Sequence, residues 1–317
     1  MFPSQIGSTT PPQVAQASGP AQPGLTPAQQ QQLAQRYAPV LYFHPDEQNF
    51  LQDPNTYIEQ STLRQERDLR PDKELHGLGD VPADELAGIG EGNRDADSQV
   101  FLDHQNEQLG DGIRAGDLDN SLNLYQYDPE TNTITYHLFY AYNDGPPGLG
   151  DVQNHEGDWE RITIQLDDNF QPVEVRYSAH GGIDVSRPWA DAPKENGQPV
   201  VYVGQGSHAN YPEPGSWTTQ APGIHDVAAT GGVRFDLSGQ PATDVTTQAW
   251  YGGYVLWGER GSASEFGIGD TSGPTGPSEG KGPIGDDASP REPIQPYTLE
   301  DARRDLRGLF DRLNPFS

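Results

Sequence analysis

Composition and charge set the first limits on this chain. Its 317 residues contain no cysteine, and 47 acidic residues against 19 basic ones give a formal net charge of −28 at pH 7. Such a charge repels phosphate backbones, so nucleic acid is not an expected partner. The lack of cysteine excludes disulfides, thiol nucleophiles and thiolate metal sites.

Two features bear on where the protein works. The N-terminus has neither the basic segment nor the apolar core of a Sec signal, and no run of about 18 apolar residues predicts a membrane span. Residues 1–24 are rich in Pro, Gln, Ser and Gly without a period, which predicts a disordered leader. We expect secretion or delivery by a non-Sec route, with residence in the cytoplasm as the alternative. The sequence does not indicate an oligomeric state.

The predicted elements begin with a short helix. Thr26 is its expected N-cap and Pro27 its first residue, and the glutamine run carries it to about Arg36. Residues 37–43 follow as a strand. Residues 46–120 mix short polar segments with many Asp and Gly residues, and their pattern does not order them into elements.

A clear β-pattern begins at Leu122. Alternating apolar residues separated by turn sequences predict strands at 122–127, 133–142, 161–166, 173–178, 198–203 and 250–256. Apolar residues at helical spacing predict an amphipathic C-terminal helix at about 298–313. We therefore predict a mainly β fold for residues 25–317: one domain built as a two-sheet antiparallel β-sandwich, with long Gly/Pro-rich loops and short terminal helices.

The segment 154–160, Asn-His-Glu-Gly-Asp-Trp-Glu, gathers potential metal ligands around one tryptophan. It leads into the alternating run 161–166 and should open a half-buried strand. Side chains alternate along a strand, which places Asp158 and Glu160 on one face and Trp159 on the other, toward a core. A bound cation, a shared proton or water would relieve the repulsion between the carboxylates. From these residues alone, a solvated strand end and a ligand site are equally good interpretations.

A second feature follows the predicted strand 198–203, which ends in Gly204-Gln205-Gly206-Ser207-His208. Glycines at a strand end let the backbone turn sharply or approach a ligand, so His208 occupies a shaped position. Taken alone, such a histidine is more often structural. His180 ends the strand expected beside segment 154–160, and it is either near the site or structural.

Together the two segments resemble the vacuolar protein sorting-associated 62 family, which carries a His-x-Gly-Asp-Trp-Glu strand and a later Gly-Ser-His-Ala strand end. Segment 154–160 is more distantly similar to the signature of the necrosis- and ethylene-inducing-like proteins, secreted β-sandwich cytolysins that hold a divalent cation in a surface cavity. Gly157 stands where that signature has its second histidine, so no role of that imidazole carries over.

The resemblance implies a set of cation-site residues in this chain. The implied ligands are Asp144, His155, Asp158, Glu160 and His208. Asp151 competes with Asp144, and His180 and Ser207 would lie around the ligands.

Such a ligand set suits a hard or borderline divalent ion. Magnesium or calcium comes first, with manganese and zinc as alternatives. The leading hypothesis is a cation-binding, toxin-like effector that engages a sugar or lipid head group through the ion. The alternatives are a metal-dependent hydrolase of an ester, phosphoester or glycosidic bond, and a structural module whose ion only holds loops together.

Overall fold

The computed structural model describes residues 24–67, 70–93, 98–105, 116–145, 154–179, 183–218, 225–259, 273–277, 297–298 and 303. Residues 1–23, Asp151, His180 and most of the predicted C-terminal helix lie outside the described residues, so the leader and that helix stay predictions. The helices are α1 (Pro27–Tyr37), α2 (Pro54–Glu59) and α3 (Ala83–Ala87), with 3-10 turns at Glu91–Asn93, Leu118–Asn120, Leu237–Gly239 and Val245–Thr247.

The described strands confirm the prediction of a mainly β fold. They are β1 (Val40–Tyr42), β2 (Ser61–Gln65), β3 (Lys73–His76), β4 (Val100–His104), β5 (Asn123–Asp128), β6 (Thr133–Asn143), β7 (His155–Leu166), β8 (Pro172–Ala179), β9 (Ile183–Pro188), β10 (Lys194–Glu195), β11 (Gln198–Val203), β12 (Asn210–Tyr211), β13 (Gly215–Thr218), β14 (His225–Ala228), β15 (Arg234–Asp236) and β16 (Ala242–Asp244).

The centre of the molecule is a six-stranded sheet in the order β16-β5-β6-β7-β8-β9. A second sheet has the order β10-β11-β1-β15, with β12 paired to β11, and a third has the order β3-β2-β4. Pairing is mostly antiparallel, but β1 pairs with β11 and β16 with β5 in parallel. The sandwich prediction is confirmed, with these parallel pairs and the third sheet as additions to it.

Side-chain alternation along β6 divides the interior into two cores. Leu138 and Tyr140 pack with Leu41 and Val201 between the central and second sheets. Phe139 and Ala141 point to the opposite face, into a core shared with the third sheet. Both faces of the central sheet are therefore covered, and β6 is buried along nearly its whole length.

The first helix forms as its sequence predicts. The Thr26 hydroxyl accepts a hydrogen bond from the Gln29 backbone amide, and the Gln29 side chain accepts one from the Thr26 amide. The Tyr136 hydroxyl then donates to the Ala34 carbonyl at 2.8 Å, which ties the helix to the central sheet. No helix within the described ranges is long and apolar enough to cross a membrane.

The predicted strand at 250–256 is wrong. Residues 250–252 form a turn with Gly252 at φ +94°, and only Leu256 makes isolated β-bridges. Gly253 packs directly on the backbone of α3, where a Cβ would lie 1.8 Å from the Leu86 carbonyl oxygen. Trp250 and Val255 of this segment, and Trp257 directly after it, are buried in the second core.

Gly157 breaks the regular alternation of β7. Its φ is +59°, and a Cβ at this position would lie 1.9 Å from the carbonyl oxygen of Trp257. Neither the backbone conformation nor the space admits a side chain. Pairing with β6 continues on both sides of Gly157, so segment 154–160 lies almost wholly within β7, which begins at His155.

We expect Gly157→Ala to lower the free energy of unfolding by about 3 kcal/mol or more, since strain and overlap add. Gly197→Ala is the matched control, because Gly197 also has positive φ (+84°) but has no atom within 4 Å of the added Cβ. The control should lose only about 1–2 kcal/mol. Urea unfolding of both variants measures the difference, and equal losses would contradict this account.

Candidate functional site

The predicted site forms where β6, β7 and the turn after β11 meet. Asp158 pairs with Tyr140 in the β6–β7 register and Glu160 pairs with Leu138, so both carboxylates point into the core between the central and second sheets. Asp158 is 6% exposed and Glu160 is 9% exposed. Trp159 faces the second core, with its ring centroid 4.7 Å from that of Phe139. The predicted division of the three side chains between two faces is confirmed.

His208 lies in the turn formed by residues 204–209, called here the His208 turn, and has φ +53°. Its ring is fully buried and stacks on Tyr140, with 3.8 Å between centroids and 3° between planes. The Nδ1 atom lies 2.9 Å from Asp158 Oδ2, and Nε2 lies 3.7 Å from Glu47 Oε1. Burial alone would lower the pKa of His208, but the two carboxylates raise the pKa to about 10. His208 is therefore an imidazolium at neutral pH.

Glu47 is a site residue that sequence reasoning missed. Its Oε1 accepts hydrogen bonds from the Gln48 and Asn49 amides, and its Oε2 accepts one of 2.8 Å from the Gly206 amide. Burial would raise the pKa of Glu47, but His208 and the backbone amides hold it below its usual value. The charged carboxylate thus holds the His208 turn in place through the Gly206 amide. Glu47 lies after β1 in a segment without hydrophobic periodicity, so no sequence pattern predicted its role.

Glu160 has a different electrostatic setting. Burial, followed by the charge of Asp158, raises its pKa well above the ordinary 4.5, against the opposing effects of Arg161 and His208. Asn210 Nδ2 lies 3.4 Å from Glu160 Oε2. Since burial disfavours its ionised form, Glu160 is a neutral carboxyl beside the Asp158–His208 ion pair.

The outer end of the site holds Asp144 and His155. Asp144 is exposed, and its amide donates to the Gly206 carbonyl at 3.1 Å, so it adjoins the His208 turn. His155 Nε2 lies 2.9 Å from Asn143 Nδ2, and His155 Nδ1 lies 2.8 Å from the Gly157 carbonyl oxygen. These contacts fix the ring as a donor at Nδ1 and an acceptor at Nε2.

The structure thus brings Asp158, Glu160 and His208 together, and Ser207 and Asp144 adjoin them through the His208 turn. Both nitrogens of His155 contact protein groups instead of facing the others. Asp151 and His180 lie outside the described residues. In the part of the chain that the structure describes, no three His, Asp or Glu side chains are arranged to hold a metal ion.

Several buried polar atoms around this cluster have no hydrogen-bond partner. They are Tyr140 Oη, Ser207 Oγ, His208 Nε2, Asn210 Oδ1 and Asn154 Oδ1. Buried polar groups are nearly always paired, with protein, water or ligand. Tyr140 is the cross-strand partner of Asp158 and His208 forms an ion pair with it, so unpaired atoms of these two residues favour a polar occupant near Asp158.

Residues 20–240, more than half of the chain, match the family described as Vacuolar protein sorting-associated protein 62. The chain belongs to this family. Its two motifs are the strand and the turn that form the site. No relative among curated proteins matches the sequence of this family member.

Among solved structures, this chain is similar to NLPPya in complex with mannosamine (16% identity, TM-score 0.37) and to NLPPya in complex with glucosamine (15% identity, TM-score 0.35). It is also similar to a structure described as a toxin fold as basis for microbial attack and plant defense (15%, 0.33). Each comparison covers 73% of this chain and 82% of the other.

Two substitutions should separate the roles of the paired carboxyls. Glu160→Gln replaces a neutral carboxyl by a neutral amide, and we expect the variant to be more stable than wild type at pH 7, because ionisation of Glu160 no longer favours its unfolded state. Asp158→Asn leaves the buried imidazolium without its nearest counter-charge and should cost about 3–5 kcal/mol. Urea unfolding measures both, and equal losses would contradict the assignment.

The pH dependence of the free energy of unfolding gives a second test of Glu160. The pKa of Glu160 is higher in the folded than in the unfolded protein, so its contribution to stability is complete below the unfolded pKa and is lost as the pH rises above it. Glu160→Gln has no ionisable group at this position, so it does not lose this stability as the pH rises. The free energy of unfolding of Glu160→Gln should therefore rise relative to wild type between about pH 5 and pH 8. A constant difference across that range would show that Glu160 is ionised in the fold.

Proposed function

We propose that the protein binds a divalent cation where β7 meets the His208 turn, and that it engages an oxygen-rich head group, of a sugar or a lipid, through that ion. The proposal rests on one observation: an exposed carboxylate, Asp144, and a buried one, Asp158, adjoin the same turn beside polar atoms that have no partner. The family resemblance of segment 154–160 points in the same direction.

The available donor atoms favour particular ions. The His155 ring contacts protein groups at both nitrogens, and both nitrogens of His208 face carboxylates, so neither imidazole presents a free lone pair. The proposed donors are therefore carboxylate oxygens, contributed by Asp144 and Asp158. Oxygen ligands suit magnesium, calcium or manganese better than zinc.

The small number of protein donors also indicates what kind of head group the ion could bind. An ion held by two carboxylates keeps coordination positions for water or for oxygens of a ligand. Neighbouring hydroxyls of a sugar, or phosphate and hydroxyl oxygens of a lipid head group, supply such oxygens. Because the chain carries a net charge of −28, an anionic head group would need the cation to bridge the like charges.

Asp144→Asn is the sharpest test of the cation site, because Asp144 is exposed and its loss should leave the fold intact. We expect magnesium, calcium and manganese to bind the chelator-treated wild type and to bind the variant at least about 10-fold more weakly, as loss of a charged ligand predicts. Titration calorimetry measures the affinities.

Asp236→Asn serves as the matched control for that titration. Asp236 lies in β15 of the second sheet, where it accepts hydrogen bonds from the side chains of Gln198 and Ser238. The Asp236→Asn variant should bind the ions with the same affinity as wild type. A wild type that binds none of the ions, or equal weakening in both variants, would contradict the proposed site.

The head-group step has its own measurement. Wild type and Asp144→Asn are compared on immobilised glycans and on liposomes, each with the preferred ion and with chelator. We expect binding that requires both the ion and Asp144. Ion binding without any head-group binding would favour a structural ion instead, and turnover of ester or phosphoester substrates would favour a hydrolase.

A further inference from the structure

Tyr140 stands opposite Asp158 on the inner face of the central sheet, outside both sequence motifs. The two residues are cross-strand partners in the β6–β7 register. Tyr140 is fully buried and its ring stacks on His208. Its hydroxyl oxygen nevertheless has no hydrogen-bond partner.

The surroundings of this hydroxyl are unusual for an unpaired group. Burial and then the charges of Asp158, Glu160 and Glu47 raise the pKa of Tyr140 well above its ordinary value. The phenol is therefore a neutral group beside three carboxyl groups. A hydroxyl so placed has a donor hydrogen and acceptor lone pairs, both suited to a polar occupant.

We infer that Tyr140 is a further binding residue of the site, whose hydroxyl hydrogen-bonds to the hydrated cation. This inference rests on the proposed function, because the occupant is the ion proposed there. The aromatic ring has a separate task, which is to support His208 by stacking. A phenylalanine would keep the ring and lose only the hydroxyl.

An unpaired buried tyrosine hydroxyl is also found at Tyr177, which supplies a control within the same core. Tyr177 lies on β8, packs in the same hydrophobic cluster and is fully buried, and its hydroxyl also lacks a partner. Its charged neighbours are Arg187 and Glu213, none of them a site residue. If unpaired hydroxyls were only a packing feature, the two tyrosines would respond alike to substitution.

The test compares wild type, Tyr140→Phe and Tyr177→Phe by calorimetric titration with magnesium and manganese. We expect Tyr140→Phe to bind about 5- to 10-fold more weakly, the loss expected for one hydrogen bond near a charge, and Tyr177→Phe to bind like wild type. The thermal midpoint without added ion should stay near wild type in both, since neither hydroxyl has a partner to lose.

Equal affinity of Tyr140→Phe and wild type would overturn the inference while leaving the cation site standing. Absence of ion binding in wild type would overturn the proposed function and the inference with it. If Tyr140→Phe failed to fold, the inference is tested instead by fluorine NMR of wild type labelled with fluorotyrosine. Substoichiometric manganese should broaden the fluorine resonance of a buried tyrosine but spare that of Tyr177, assigned from Tyr177→Phe, and no broadening would overturn the inference.

Discussion

The ion pair between Asp158 and His208 is the interaction on which the site depends. It joins the central sheet to the turn at the end of β11, so it connects two layers of the sandwich through their shared core. A charge buried without a partner costs several kcal/mol, and each member of this pair is tolerated only because the other is present. Glu47 and the Tyr140 ring complete the surroundings that the imidazolium requires.

This arrangement places Asp158, His208 and Glu47 in the interior of the sandwich. Asp158 and Glu160 are set by strand pairing, and His208 is set by a turn that Glu47 holds through the Gly206 amide. Side chains fixed by regular elements and by a second layer of hydrogen bonds keep their geometry better than loop residues do. Asp144 is exposed and Glu160 is buried, so the site runs from an exposed carboxylate to a buried carboxyl whose pKa is raised.

The parts of the site that follow local rules could be predicted from the sequence. Strand alternation placed Asp158 and Glu160 opposite Trp159, and the glycines before His208 indicated a shaped turn. The roles of Glu47 and Tyr140 depend on long-range contacts. The partner of Asp158 on β6 follows from the strand register, which the length of the loop between Asn143 and His155 sets and no local pattern specifies. The strand predicted at 250–256 is wrong because Trp250 packs in the second core and residues 250–252 turn the chain instead of pairing in a sheet.

Gly157 places a steric constraint on segment 154–160. It turns the chain so that Glu156 accepts a hydrogen bond from the His104 amide near the aromatic core, while Asp158 faces the other layer. Any side chain at position 157 would meet the carbonyl of Trp257. A side chain at position 157 could therefore be accommodated only if residues 256–258 moved, which couples β7 to a segment about one hundred residues further along the chain.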